Sequence, residues 1–279
     1  MLNELDKLKI IEWNIHGAAG YGNYSIPEFV ADEIMLQDAD IVILTEFVIK
    51  CNWDYFRGVL EKKYKLFSSP YISGQNGVLI AIKKDNEDFD INSAMISSEL
   101  NTIQTEKPNF LQVTIEYNEK PLTIIGTRIR PRNEQFKKEQ YEILKEHLES
   151  LEGKVICAGD FNVWSSFIVG NNKGQWNLKP TDYDFRTPTN TWSNSKYSPK
   201  NEPSTWSHVG KGKADILYKS LIDHIVTKGV TIIKEKLNYS WDFVNENNGY
   251  GNLNPEDYKS NLVGLPDHAI LSATIKFND

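Results

Sequence analysis

The chain has 279 residues, 40% of them hydrophobic and 25% charged, a composition that provides ample material for a globular core. A net charge of −7 gives no sign of a broadly basic surface for nucleic acid, and two cysteines exclude a disulfide framework. No segment approaches the roughly 20 apolar residues of a membrane span, and the N-terminus lacks a signal-peptide pattern. We therefore expect one domain over residues 1–279 in a reducing, cytoplasmic compartment, and no obligate protein partner is inferable.

Apolar runs bounded by polar turns predict the strands, and amphipathic stretches behind capping residues predict the helices. The first half of the chain predicts a strand at 9–14, a helix from a Ser-Ile-Pro-Glu capping box at 25–28 to about 36, a strand at 40–46, a short helix after Asn52 and a strand at 77–82. A hairpin of strands at 111–117 and 122–127 follows, and then a helix from Asn133 to 151. The last predicted strands lie at 155–158, 221–226 and 269–275. Strands outnumber helices, and hairpins mix with strand–helix units. The expected fold class is therefore α/β (α+β), with two packed mixed β-sheets forming a sandwich flanked by helices.

Two polar residues that could act in catalysis directly follow one predicted strand. Its apolar residues 155–158 give way to Gly159, and the chain then delivers Asp160 and Asn162. Residues two apart on an extended chain point to the same side, so a carboxylate and a carboxamide emerge together. That pair suits metal-assisted chemistry on an oxyanion, although a strand followed by an ordinary Asp/Asn turn explains it equally well.

Polar residues also stand at the ends of other predicted strands. Each one alone is typical of a solvated or hydrogen-bonded structural residue, and only their combination is informative. Hard oxygen donors from separate strands, together with Asn and His, fit a Mg²⁺ or Mn²⁺ phosphodiester hydrolase, with Ca²⁺ as a further candidate ion. These residues are Asn14, His16, Glu46, Asp160, Asn162, Asp223, Asp267 and His268.

The order of these motifs resembles that of the endonuclease/exonuclease/phosphatase superfamily, from about residue 8 to 275. The motifs that carry the resemblance are Trp13–Asn14, Leu44–Glu46, Gly159–Asn162, Ile222–Ile225 and Asp267–His268. The resemblance implies a four-layered sandwich and a divalent-metal-dependent phosphoester hydrolase. The superfamily includes DNases, abasic-site endonucleases, deadenylases, inositol-polyphosphate phosphatases and neutral sphingomyelinases.

The resemblance also assigns roles on the metal side of the site. Glu46 would be the main metal ligand, and Asn14 would lie beside it near the metal or the scissile phosphate. Asp267 matches a position near the metal.

On the phosphate side, the resemblance assigns Asp160 to orient or deprotonate the attacking water, and Asn162 to hold water or a phosphate oxygen. His268 would donate to a non-bridging phosphate oxygen, supported by Asp223 on its other ring nitrogen. A carboxylate there fixes the tautomer and favours the protonated imidazole opposite a dianionic transition state.

The chain departs from its relatives at two places. His16 stands where abasic-site endonucleases carry Asp, so it is either a softer metal ligand or a turn histidine bonded to backbone. Arg128 and Arg130 stand where many relatives carry His or Tyr. Two guanidinium groups two residues apart could clamp a phosphate, whereas the alternative is a surface pair that balances negative charge.

Residues 165–215 show little periodicity and many polar and aromatic residues, which predicts a long functional loop. The aromatic side chains could stack on bases or anchor the loop to the core, and the lysines could contact phosphates. The aromatic residues in or beside this loop are Trp164, Trp176, Tyr183, Trp192 and Trp206, and the lysines are Lys173, Lys179, Lys196, Lys200, Lys211 and Lys213.

A nuclease acting on DNA or RNA, by metal-assisted attack of water on phosphorus, is the function that these features favour. The alternative is a phosphatase or phosphodiesterase acting on inositol phosphates, sphingolipid head groups or small nucleotides, although no contiguous stretch forms a lipid-facing patch. A catalytically silent binding module, the third hypothesis, predicts broken metal and base positions, whereas this chain keeps all of them.

Overall fold

The structure, a computed structural model, describes residues 7–16, 26, 28–49, 52–72, 75–100, 107–170, 174–188, 191–192, 207–211, 217–244 and 267–277. Two mixed β-sheets pack face to face and helices cover their outer faces, which confirms the expected sandwich. Strands and helices are numbered below in chain order.

The first sheet has eight strands. They are β1 (Lys7–Asn14), β2 (Ile41–Phe47), β3 (Tyr64–Ser68), β4 (Gly77–Lys83), β10 (Thr191–Trp192), β14 (Val230–Ile232), β15 (Asn238–Ser240) and β16 (Ile270–Phe277). Their order across the sheet is β10-β15-β16-β1-β2-β4-β3, and β14 also pairs with β16. Because β1 and β2 are parallel and β16 is antiparallel to β1, the ends of the first two strands and the start of the last lie at one edge.

The second sheet has six strands in the order β5-β6-β7-β8-β13-β9. They are β5 (Phe89–Ser97), β6 (Asn109–Tyr117), β7 (Lys120–Arg128), β8 (Lys154–Asp160), β9 (Asp184–Arg186) and β13 (Asp223–Lys228). Strands β7 and β8 are parallel, and β13 is antiparallel to β8, so Arg128 and Asp223 flank Asp160 from either side. A separate two-stranded ribbon consists of β11 (His208–Lys211) and β12 (Leu217–Ser220).

Helices cover the outer face of each sheet and make the fold four-layered. They are α1 (Glu28–Gln37), α2 (Trp53–Leu60), α3 (Glu134–Ser150) and α4 (Ser165–Val169), with 3₁₀ turns at Lys234–Lys236 and Asp242–Val244. Apolar side chains of α1 and α2 pack against the first sheet, and those of α3 and α4 pack against the second.

Close contact between the two sheets depends on a glycine in the second one. A Cβ placed on Gly126 would lie 2.5 Å from Val78 Cγ1 and 2.8 Å from Ile43 Cγ2, both in the first sheet. Such separations are shorter than carbon–carbon contacts in packed interiors allow. The absence of a side chain at this position therefore lets the sheets approach.

Local turn and capping chemistry explains where several elements begin. The predicted hairpin is confirmed, and both of its turn residues, Asn118 and Glu119, have positive φ (49° and 60°), as a two-residue type I′ turn requires. Asn133 caps α3 as predicted, because its side chain accepts a hydrogen bond of 2.9 Å from the Phe136 amide. The side chain of Asn52 does not cap α2, because it bonds instead to the backbone of Ile26.

The prediction of one irregular segment over residues 165–215 is wrong in part. The segment contains α4 and the short strands β9, β10 and β11. Strand β9 has only three residues, and its pairing with β13 holds it in place, so its own sequence shows no period. Ser25 and Pro27 of the predicted capping box lie outside the described residues.

Candidate active site

The strand ends of the two sheets meet at Asn14, the last residue of β1. Its Nδ2 donates to Asp160 Oδ2 across the sandwich at 3.0 Å and to Glu46 Oε1 within its own sheet at 3.3 Å. Its Oδ1 accepts a bond of 2.9 Å from the His16 amide. The structure therefore brings three of the predicted site residues from separate strands together.

Backbone conformation turns several of these side chains toward the site. Glu46, Asn162 and His16 all have positive φ, at 52°, 50° and 52° respectively. A bulge in the pairing of β2 with β4 falls at Glu46, and such bulges re-aim side chains next to functional sites. A residue other than glycine in this region costs about 1 kcal/mol or more, so the surrounding contacts must hold it there.

The Asp160 carboxylate is buried and accepts several hydrogen bonds. Its Oδ1 accepts from the Asn162 amide at 2.8 Å, and its Oδ2 accepts from the Asn162 carboxamide at 2.9 Å as well as from Asn14. Burial raises the pKa of Asp160 to about 6, and the charge of Asp223 acts in the same direction while that of His268 opposes it. A carboxylate in this state is ionised at neutral pH and remains basic enough to accept a proton.

Asn162 is tied to the protein through both of its amide hydrogens. Besides Asp160, its Nδ2 donates to the Ile129 carbonyl at 2.7 Å. The backbone carbonyl of Asn162 accepts a hydrogen bond of 2.9 Å from Lys137 Nζ. In this structure Asn162 orients the Asp160 carboxylate, and its predicted contact with water or phosphate stays a prediction.

His268 lies against Asp223 in the interior of the fold. Its Nδ1 is 2.9 Å from Oδ2 and 3.1 Å from Oδ1 of Asp223, and its carbonyl accepts a bond from Trp13 Nε1 at 3.0 Å. Burial alone would lower the pKa of His268, but the charge and hydrogen bond of Asp223 raise it to about 10. The backbone of Asp223 is fixed by Tyr239 Oη, which donates to its carbonyl at 2.5 Å, and by Ser207 Oγ, which accepts from its amide at 3.2 Å.

Arg128 and Arg130 have different partners. The Arg128 side chain is only 11% exposed and forms an ion pair with Glu46, and its Nε lies 3.5 Å from Asp160 Oδ2. Nη2 of Arg130 instead donates to Gln75 Oε1 at 3.3 Å. The alternative of a surface pair does not fit Arg128, because strand β7 ends beside Asp160 and the side chain is buried there. The predicted contact of Arg128 and Arg130 with a phosphate stays a prediction.

Asp267 is surrounded by three imidazole rings. Its carboxylate oxygens lie 3.9 Å from His16 Nδ1, 3.6 Å from His208 Nε2 and 3.8 Å from His268 Nε2. Burial works to raise the pKa of Asp267, but the His208 hydrogen bond and the neighbouring imidazole charges outweigh it and hold the pKa below the usual range. The predicted metal set thus falls into two groups, with Asp267 among histidines and Glu46 beside Asn14.

Two residues of the site escaped the sequence reasoning. His208 reaches Asp267 because β11 lies alongside His268, a non-local pairing that no local pattern reveals. Glu12 did carry a signal, since it interrupts an apolar strand two residues before Asn14. Glu12 is buried and accepts a hydrogen bond of 3.0 Å from Thr45 Oγ1. Burial, and to a smaller extent the charge of Asp223, raises the pKa of Glu12 well above the usual value.

The aromatic residues near the site divide into anchors and one exposed ring. The Tyr183 hydroxyl is buried and donates to the Leu148 carbonyl at 2.5 Å, and Trp176 packs against Tyr141, so both residues anchor the segment to the core. Trp164 is 46% exposed. Trp206 and the side chain of Trp192 lie outside the described residues, as do most of the lysines, although Lys179 is described and exposed.

The donor set fits a divalent metal. Carboxylates of Glu46 and Asp160, supplied by opposite sheets, both face the Arg128 guanidinium, which occupies the position of a cation between them. Oxygen-rich positions of this kind suit Mg²⁺ and related hard ions. Together with a buried Asp–His pair at the same edge, they define a metal-dependent phosphoester hydrolase.

Comparison with known proteins agrees with this class. A profile of the Endonuclease/Exonuclease/phosphatase family matches residues 11–243, and the chain belongs to this family. No curated protein matches it in sequence. In the part of the chain that the structure describes, no helix has the length and apolar character needed to cross a membrane.

Solved structures with low sequence identity share the fold. TDP2 from D. rerio, solved with a single strand DNA product, is 15% identical over 97% of this chain and 99% of its own, with a TM-score of 0.63. The human Nocturnin catalytic domain, solved with a sulfate anion, is 16% identical over 98% and 95%, with a TM-score of 0.60. ANGEL2, described as a 2′,3′-cyclic phosphatase, is 13% identical over 96% and 95%, with a TM-score of 0.61.

Proposed function

We propose that this phosphoester hydrolase is a Mg²⁺-dependent nuclease that cleaves phosphodiester bonds of DNA or RNA. The observation that carries the proposal is the meeting of Asp160, the His268–Asp223 pair and Glu46 at one edge of the sandwich. Nucleic acid as substrate is further supported by the TDP2 structure, which has the same fold and contains a single strand DNA product.

Asp160 accepts the proton of the attacking water in this mechanism. Its pKa of about 6 leaves it ionised at neutral pH. Asn14 and Asn162 hold its two oxygens in place, which fixes the direction from which water approaches phosphorus.

His268 and Arg128 supply the positive charge that the phosphate meets. His268, with a pKa of about 10, is protonated at neutral pH and donates to a non-bridging oxygen. Arg128 Nε makes no hydrogen bond among the described residues although it lies 3.5 Å from Asp160 Oδ2, so a phosphate oxygen bound beside Asp160 would satisfy this donor. These two groups replace the hydration that the phosphate loses on binding.

Glu46 is the residue that would hold Mg²⁺, and Mn²⁺ or Ca²⁺ would suit the same carboxylate donor. Asn14 lies beside the ion position and orients Glu46, because its Nδ2 donates to Oε1. The ion, when bound, supplies Lewis-acid stabilisation of charge on the phosphate. We also infer a cytoplasmic location, because a chain with only two cysteines has no disulfide framework, as is typical of a reducing compartment.

A substrate panel tests the proposal. Plasmid, single-stranded DNA, RNA and inositol phosphates are incubated with Mg²⁺ or Mn²⁺, and in parallel with chelator. We expect metal-dependent cleavage of a nucleic acid, and cleavage of inositol phosphates alone would instead establish the phosphatase alternative. Absence of metal-dependent cleavage across the whole panel contradicts the proposed function.

Matched variants separate chemistry from folding. Asp160→Asn and His268→Asn are each expected to lower kcat by about two to four orders of magnitude, because each removes a group that acts in the transition state. Asp184→Asn and His147→Asn remove the same group types at positions away from the site, where Asp184 pairs with Arg186 and His147 contacts Gln112. Equal effects of the site and control variants would refute the assigned roles.

A further inference from the structure

A cleft of about 320 Å³ opens beside the candidate site. Asn162 and His208 both line it. Asn162 is bonded to Asp160, and His208 lies 3.6 Å from Asp267, so the cleft borders the site. A molecule bound there would therefore lie next to the reacting phosphate.

Trp164 forms one wall of this cleft and presents its ring to solvent. It is 46% exposed, unlike Trp176 and Tyr183, whose rings pack within the fold. Its backbone is fixed immediately before α4, where its carbonyl accepts a bond of 2.9 Å from the Phe167 amide. An indole ring on a fixed backbone is a platform on which a nucleobase stacks, because every base offers a flat π-face.

Lys137 lines the cleft and adds positive charge. Its Nζ donates to the backbone carbonyl of Asn162 at 2.9 Å, and this hydrogen bond holds the ammonium group close to the site. An ammonium group has three donors, and hydrogen-bond partners among the described residues occupy one of them, so the other two would meet phosphate oxygens. Glu134, one turn earlier on α3, also lines the cleft, and its carboxylate would accept a hydrogen bond from the amino group of a bound base.

We propose that this cleft binds one unpaired nucleotide of the substrate strand, with its base stacked on Trp164 and its phosphate at Lys137. The inference rests on the proposed nuclease function and specifies the substrate as single-stranded. The volume is near the lower end of small-ligand pockets, which suits one nucleotide and not a duplex. The net charge of −7 also opposes the extensive phosphate contact on which duplex binding depends.

Binding without cleavage tests the proposal directly. Fluorescence anisotropy in chelator compares a labelled single-stranded hexanucleotide with the same backbone carrying abasic residues. The wild-type chain is expected to bind the base-bearing strand about tenfold more tightly, as loss of one stacked base predicts. Trp164→Ala is expected to abolish this preference, and Trp164→Phe to retain most of it, because the aromatic face remains.

Met95→Ala is the control, because Met95 is an exposed apolar residue on β5, at an edge of the second sheet. Circular dichroism verifies that each variant is folded. If the wild type does not discriminate between the two strands, or if Trp164→Ala keeps the preference, the cleft is not the base site, even where the panel shows cleavage. Base discrimination that depends on Trp164, without cleavage of any nucleic acid, would leave the cleft in place and count against the nuclease function.

Discussion

Replacing Asp223 by asparagine removes the charge that faces His268 and preserves the shape of the side chain. The bonds from Tyr239 and to Ser207 involve only the backbone of Asp223, so they survive the substitution. The pKa of His268, which Asp223 raises to about 10 against the effect of burial, is then expected to fall toward its ordinary value of 6.5, because only the charges of Asp160 and Asp267 still oppose burial.

The size of the effect follows from the protonated fraction of His268. At pH 8 an imidazole with a pKa of about 10 is about 99% protonated, whereas one with a pKa of about 6.5 is about 3% protonated. At pH 6 the two fractions are about 100% and about 76%. If catalysis requires imidazolium and the variant pKa is 6.5, Asp223→Asn lowers kcat/KM about 30-fold at pH 8 and less than about twofold at pH 6.

The raised pKa of His268 also makes the stability of the fold depend on pH. The pKa of His268 is raised on folding, so its contribution to the free energy of unfolding is complete below pH 6.5 and is lost as pH rises through 10. Breaking a buried charge pair typically costs about 3–5 kcal/mol, so the variant must be studied where urea unfolding shows that it is folded.

The assay is a pH–rate profile of kcat/KM from pH 5.5 to 9.5 for the wild type, Asp223→Asn and the control Asp184→Asn, with NMR titration of the His268 ring. A loss of activity that is the same at pH 6 and pH 8, or an unchanged His268 titration in Asp223→Asn, would refute the reasoning.

Three further substitutions probe the interior. Glu12→Gln is expected to raise the unfolding temperature at pH 8, because the raised pKa of Glu12 means that its ionisation opposes folding. Calorimetry should show that this gain in unfolding temperature disappears below pH 4.5, where Glu12 is protonated in both states. A gain that persists below pH 4.5 contradicts this account. Arg128→Gln is expected to tighten Mg²⁺ binding in titration calorimetry, since the guanidinium competes for Glu46, and weaker binding would argue against competition. Gly126→Ala is expected to lower the free energy of urea unfolding by about 1–3 kcal/mol, and an unchanged midpoint would show that the sheets can separate freely.

Much of the fold could be predicted from local pattern. The continuous apolar runs of β2 and β8 are short and bounded by polar residues, which is typical of buried strands, and the cap at Asn133 starts α3 where expected. Short strands such as β9 and β10 could not be predicted, because pairing with distant strands holds them and their own sequence shows no period.

The candidate site divides in the same way. Strand-end positions identified Asp160 and Glu46 from sequence, since a carboxylate that ends an apolar strand stands out. The ion pair of Arg128 could not be predicted, because it depends on the register of β7 against β8 and on contact between sheets. The same is true of His208, which reaches Asp267 only through tertiary pairing.

The hydrogen bond from Asn14 to Asp160 crosses from one sheet to the other, so it depends on how closely the sheets approach at that edge. The apolar side chains between the sheets set this approach, and at Gly126 the side chains of Ile43 and Val78 lie directly against the opposite backbone. Substitutions in the core can therefore change the gap between Glu46 and Asp160 without touching either residue. The geometry of the candidate site thus depends on the volume of the core.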